Sequence, residues 1–183
     1  MKQVGELIQE SIEELENGAS ERAFATTCAA VKLTLQKSLE TEALSGGDYQ
    51  FFVKQHWRLL AFTGLPRALP MAREIDSQLK MVIHGFNISG AEEVVLHLIR
   101  QTAVMNRTPV QFKFHSSNAF EFRGDQIYVP NSLIGGLISI VILQPVNKGE
   151  SVPDNFWINI SDFKMFVSEF WGRIDLAERI MDL

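Results

Sequence analysis

Three residues in the stretch SGAEEVVLHLIRQTAVMN, from Ser89 to Asn106, carry polar chemistry in an otherwise largely apolar pattern: His97, Arg100 and Asn106. Arginine presents a permanent planar charge to phosphate oxygens, and histidine titrates near neutrality and moves protons. An asparagine amide donates and accepts hydrogen bonds but is neither acid nor base near pH 7. His97 lies three residues before Arg100, on a neighbouring part of one helical face. The set therefore holds one fixed positive charge and one proton carrier at most.

Ser89 with Glu92 three residues on reads as a capping box, which fixes the start of the helix that carries them. Val94, Val95, Leu98, Ile99, Thr102 and Met105 recur at spacings of three and four, so the helix is expected to lie between others with Arg100 at an unfavourable, inward position. Two roles follow for Arg100. One is a buried ion pair with Glu13, Glu14, Glu169 or Asp175, and the other faces a ligand.

The other candidates reduce to structure. His56, His84 and His115 stand in separate segments without ligand spacing, so no metal site and no cofactor is expected. Gly135-Gly136 lies inside an apolar run, where close helix packing explains it better than a phosphate loop. Cys28 sits on an apolar helical face and reads as core. Arg123-Gly124-Asp125 is a hairpin turn signal, and the Asn-X-Ser/Thr triplets at Asn87, Asn106 and Asn159 carry no weight.

The elements follow from periodicity. Val4, Leu7, Ile8, Ile12 and Leu15 draw a stripe that ends at Asn17-Gly18, and a second helix, capped by Ser20, runs to about Leu39. The short connection makes them an antiparallel pair. TEALSGGD reads as a loop, Asp48 opens a third helix through DYQFFVKQHWRLLAF, and a shorter helix is expected within Met71 to Gly85. After Pro109 the period falls to two over Val110, Phe112 and Phe114, then Phe120 and Phe122, then Gln126 to Val129, which predicts an antiparallel β-meander at about residues 109–130. Leu133 to Leu143 is a buried helix stopped by Pro145, Gln144 to Asn155 a polar loop, and FWINI a further strand. A last helix is expected from Ser161, with Phe163, Phe166, Phe170, Ile174, Ala177 and Ile180 as its stripe.

The chain has 183 residues, 46% of them hydrophobic and 21% charged, the proportions of one globular domain spanning 1–183. Its net charge of -5 excludes a general pull toward nucleic acid or anionic membrane, so such binding requires a local patch. Arg67, Arg73, Lys80, Arg107 and Lys113 flank the Arg100 helix and could form one. The charged N-terminus is unlike a secretion signal, and a lone cysteine suits a reducing compartment, so the expected location is cytoplasmic. The longest apolar run is too short to span a bilayer.

Two pieces resemble the HEPN superfamily of helical domains. LIQESIEELENGASERAFATTCAAVKLTL is similar to its opening helical hairpin, and EVVLHLIRQTAVMN to its later helix, in which an arginine is followed after four to six residues by histidine. The resemblance covers about a third of the chain. It implies a mainly helical antiparallel bundle with the strands as an insertion, a homodimer, and, in members that cleave RNA, metal-independent attack of a ribose 2′-hydroxyl on the adjacent phosphate. Arg100 matches the family's arginine; QTAVMNRT after it holds no histidine, and Asn106 takes an allowed place for one. The implied protein is a non-catalytic or catalytically reduced relative that binds RNA, a nucleotide or a protein partner. The alternatives are an active toxin or defence ribonuclease using His97, and a pure interaction scaffold.

Overall fold

The computed structural model describes residues 2–65, 90–117, 119–153, 156–160 and 163–181. Helix α1 (Val4–Glu16) opens with Gln3, whose backbone N–H donates to Glu6 Oε2 at 2.7 Å. It closes through Gly18, which takes the left-handed conformation with φ 73°. Helix α2 (Ser20–Leu39) then runs back along it. Ala19, not Ser20, is the residue before its first turn. The pair is locked by a buried hydroxyl relay: Ser11 Oγ and Thr27 Oγ1 lie 2.6 Å apart, one donating to the other, and the Ala23 carbonyl, 2.8–2.9 Å from both, accepts the remaining hydroxyl proton. Cys28 is fully buried on the same helix, and burial pushes its thiol well up.

Glu150 ties the start of this hairpin to the far end of the chain. Its Oε2 accepts the Gly5 N–H at 2.8 Å and its Oε1 pairs with Lys37. The approach is close: a Cβ on Gly5 would stand 2.3 Å from the Ser151 carbonyl oxygen. Burial raises the carboxyl's pKa, but the Lys37 ammonium and the helix N–H groups outweigh it and hold it below the usual range. Glu150→Ala is therefore expected to lose about 2 kcal/mol at pH 7, and the gap should close on acidification through the folded carboxyl's titration, below about pH 4. Thermal melts of both proteins across pH check this. A gap unchanged at pH 3 would assign the loss to packing instead.

Helix α3 (Gly46–Gly64) begins two residues before Asp48, the start that the glycine-rich TEALSGGD suggests. Ser45 and Asp48 form a capping box, with the Asp48 carboxylate accepting the Ser45 N–H at 2.6 Å. Helix α4 (Ala91–Met105) follows, preceded by Gly90 in extended conformation. Its expected cap Ser89, and the expected helix within Met71 to Gly85, lie outside the described residues.

Strands β1 (Phe112–His115), β2 (Glu121–Arg123) and β3 (Gln126–Pro130) form a sheet in the order β1-β3-β2. It is mixed, not the antiparallel meander that alternation suggests: β3 pairs antiparallel with β2 but parallel with β1, Phe112 opposite Ile127. The Gly124-Asp125 turn does close a hairpin, with Gly124 at φ 63°. The β1–β2 connection is too long for a tight turn, and the buried Phe112, Ile127 and Val129 are satisfied when β3 enters between the other two. Alternation reports which residues face the core, not strand direction.

Helix α5 (Ser132–Leu143) is the buried axis of the molecule, packed on α3 and α2. It crosses α3 glycine on glycine. A Cβ on Gly136 would stand 2.7 Å from Gly64 Cα, and Ser132 Oγ donates to the Gly64 carbonyl at 2.7 Å. Pro145 opens a 3-10 turn to Asn147, whose buried amide donates to Thr34 Oγ1 and the Val141 carbonyl.

The C-terminal segment differs from the single helix expected from Ser161. Phe163–Phe166 is strand β5, antiparallel to β4 (Trp157–Ile160), and only Ile174–Met181 is helical, as α6. The aromatic spacing fits both periods over so short a run. Gly172 decides where the helix can begin: it adopts φ 73°, and its N–H donates to the Ile142 carbonyl at 2.8 Å. The architecture is thus mainly helical, with two small sheets.

Candidate functional site

One face of α4 is sealed and the other is not. Val94, Val95, Leu98, Ile99 and Thr102 are buried against α2 and α3, while Arg100 and Asn106 are exposed and His97 is half-buried. Arg100 is 100° around the helix from Ile99 and 200° from Leu98, so it falls off the buried stripe. The inward position expected for it is therefore wrong. The ion pairs proposed for it are absent as well: Glu14 pairs with Arg22 and Asp175 with Arg173, and no carboxylate among the described residues lies within salt-bridge distance of Arg100.

What Arg100 does touch is the start of α3. A Cβ on Gly46 would meet its Nη2 at 2.2 Å and its Cζ at 2.7 Å, so the absent side chain is the seat on which the guanidinium lies. A cation at a helix N-terminus meets the positive end of the helix dipole and gains nothing from it. Internal electrostatics does not explain this placement. The sequence signal for the seat was the Ser45–Asp48 box, which puts Gly46 in a first helical turn and not in a loop.

His97 lies at the edge of the same strip, its ring 6.5 Å from the Phe112 ring at a tilt of 42°. Burial, and then the nearby charge of Arg100, lower its pKa. Both favour the neutral imidazole, a form that can accept a proton but has none to give a leaving group. Asn106 ends α4 in the left-handed conformation, φ 52° and ψ 28°. Asparagine tolerates that geometry better than most side chains, so backbone closure accounts for its identity. From Arg100 it stands about 120° around the helix and roughly 9 Å along it. Within one chain, His97 and Arg100 share a face and Asn106 is turned away from it.

Around Arg100 the strip is apolar. Val104, one turn on, is 81% exposed; Met105, at 42%, lies about 140° around the helix from Arg100, and Val110, at 78%, lies beyond the helix end. Arg107 is exposed and Lys113 half-buried, while Arg67, Arg73 and Lys80 lie outside the described residues.

His56, by contrast, is a core group. Its Nδ1 lies 2.9 Å from the Phe52 carbonyl and its Nε2 2.9 Å from Gln144 Nε2. The amide nitrogen only donates, so Nε2 accepts and Nδ1 carries the proton. Burial lowers this imidazole's pKa. The unfolded chain then binds the proton first on acidification, so stability present above about pH 6.5 is lost as pH falls from there toward the lower folded value. We expect the melting temperature to drop between pH 7.5 and 5.5, and His56→Gln to flatten that drop. An equal drop in the variant would exclude His56 as its cause.

No cluster of metal-binding side chains occurs among the described residues, and none of their helices is long and apolar enough to cross a membrane.

No solved structure matches the chain. "Uncharacterized protein Rv1289" of Mycobacterium tuberculosis and "Uncharacterized protein Mb1320" of Mycobacterium bovis are each 31% identical to it over 70 residues. That match covers 38% of this chain and spans about a third of the relatives' length, 33%. The sequence model of the Rv1289 family, in turn, matches residues 3–183, nearly the whole folded unit that holds α4 and its open strip, and the chain belongs to that family.

Proposed function

We propose that this protein is a catalytically silent, HEPN-like binding module that pairs with a second copy along α4 and uses Arg100 to hold a phosphate of an RNA strand. One observation carries the reading: an exposed guanidinium, seated on Gly46 and without a carboxylate partner among the described residues, in a chain whose net charge is -5. An arginine in an acidic protein that is given a fixed seat and no counter-charge among the described residues suits an anion from outside. Silence follows from the neighbours. Asn106, at the place the resemblance allots to a histidine, cannot transfer a proton, a contribution of typically 10² to 10⁴-fold in such reactions, and His97 is left as the single proton carrier of the set.

The exposed Val104, one turn from Arg100 on the same side of α4, supports the second copy, because a two-fold pairing along that face would cover it and bring two arginines to one groove. Light scattering at micromolar concentration should give about twice 20.7 kDa. A fluorescein-labelled single-stranded RNA should show saturable anisotropy that weakens as salt is raised, and should stay intact on metal-free incubation. No binding at low salt defeats the reading. Cleavage abolished by His97→Ala would replace it with the ribonuclease alternative.

A further inference from the structure

A second site lies away from the Arg100 strip. The second half of α1, the start of α5 and β4 enclose an open cleft of about 420 Å³. Ile12, Leu15 and Ile138 form apolar walls, and the Trp157 indole, 37% exposed, lines the cleft as well. Gly135 lines it too, and a Cβ there would meet nothing within 4 Å. The contrast with its neighbour Gly136 is sharp: one glycine serves helix packing, and the other leaves space. A volume of this order with apolar walls and a few polar groups is that of a small-molecule site.

The polar groups decide the chemistry of the occupant. Ser132 directs its hydroxyl to the Gly64 carbonyl, which removes it as a donor to the cleft. The side-chain amide of Asn131 has no hydrogen-bond partner among the described residues, and its Oδ1 is sealed from solvent. Among the described residues, the charged group lining the cleft is the exposed carboxylate of Glu16. Lys164 Nζ rests on the Trp157 ring, 3.3 Å from its centroid, and is not one of the lining groups. A carboxylate beside an apolar and aromatic wall selects a cation with an apolar body. We propose that this cleft binds a small apolar amine, its body between the isoleucines and Trp157 and its ammonium against Glu16.

The probe is 2-phenylethylamine, with phenylacetate and 2-phenylethanol as the anionic and neutral counterparts, followed by calorimetry and by tryptophan fluorescence. The amine should bind saturably in the millimolar range, at least about fivefold more tightly than phenylacetate. Gly135→Met fills open space on a helix, so it should melt at or above the wild-type temperature while weakening the amine about tenfold or more. Glu16→Gln, a surface change, should keep the fold and remove the preference for the amine over the alcohol. Absence of saturable binding, a preference for phenylacetate, or unaltered affinity in a folded Gly135→Met protein would each overturn the assignment.

Discussion

Gly136→Val is expected to melt at least about 10 °C below the wild-type protein or to accumulate as insoluble chain, whereas Gly135→Ala, one residue earlier, should melt at or slightly above it. The two glycines share a helix and a sequence context, so propensity alone would treat them alike and favour both replacements by about 0.5–1 kcal/mol. Contact separates them. At Gly136 an added Cβ meets Gly64 Cα at 2.7 Å and Gly64 N at 2.9 Å, backbone atoms that move only if α3 moves. At Gly135 it meets nothing within 4 Å. Forcing α3 and α5 apart would unseat Leu60, Leu133 and Leu137 together, all fully buried. Overpacking typically costs 1–3 kcal/mol and more where backbone must shift, and a domain of this size loses roughly 2–4 °C per kcal/mol. Valine's branches place it at the upper end or beyond. Calorimetric melts of the three proteins decide it; a Gly136→Val protein within a few degrees of wild type would mean that the helix crossing is slack.

The helices that bury one stripe were legible from spacing. α1, α2 and α5 keep, to within a few residues, the bounds that Val4 to Leu15, Phe24 to Leu39 and Leu133 to Leu143 imply, because an unbroken apolar segment closed by a turn or proline signal marks a helix whatever it packs on. Strand direction was not legible. Phe112, Phe114, Ile127 and Val129 alternate identically in a meander and in the observed mixed sheet, since alternation constrains faces and is blind to order. The C-terminal aromatics misled for a related reason. Over Phe163 to Phe170, spacings of three and four coincide with a four-residue strand followed by a 3-10 turn, and the deciding residue was Gly172 at φ 73°.

For the candidate site, residue types were legible and their surroundings were not. His97 and Arg100 do share a face, as a separation of three requires. That Arg100 points outward depends on which neighbours α4 has, and its seat is a residue more than fifty positions earlier whose significance is a missing side chain. Asn106 could be read as a substitute for a catalytic histidine or as a helix end, and only φ 52° distinguishes them.

Arg100→Ala is the sharpest test of the proposed function because it separates two kinds of arginine. A residue paired inside the fold leaves a buried charge when truncated and costs about 3–5 kcal/mol. Arg100 is exposed and has no carboxylate partner among the described residues, so its removal should shift the melting temperature by no more than about 2 °C. Loss of a phosphate contact, in contrast, should weaken RNA about tenfold or more and lower the slope of log affinity against log salt by about 1. Gly46→Ala pushes only the flexible end of Arg100 aside, so it should keep the fold and give a smaller loss of affinity in the same direction. The measurement is the RNA anisotropy titration of wild type and Arg100→Ala at two salt concentrations, with melts of the same samples. An Arg100 that holds phosphate gives about a tenfold loss at unchanged stability; equal RNA affinity in the two proteins, or a melting temperature lowered by more than about 10 °C, rules that role out.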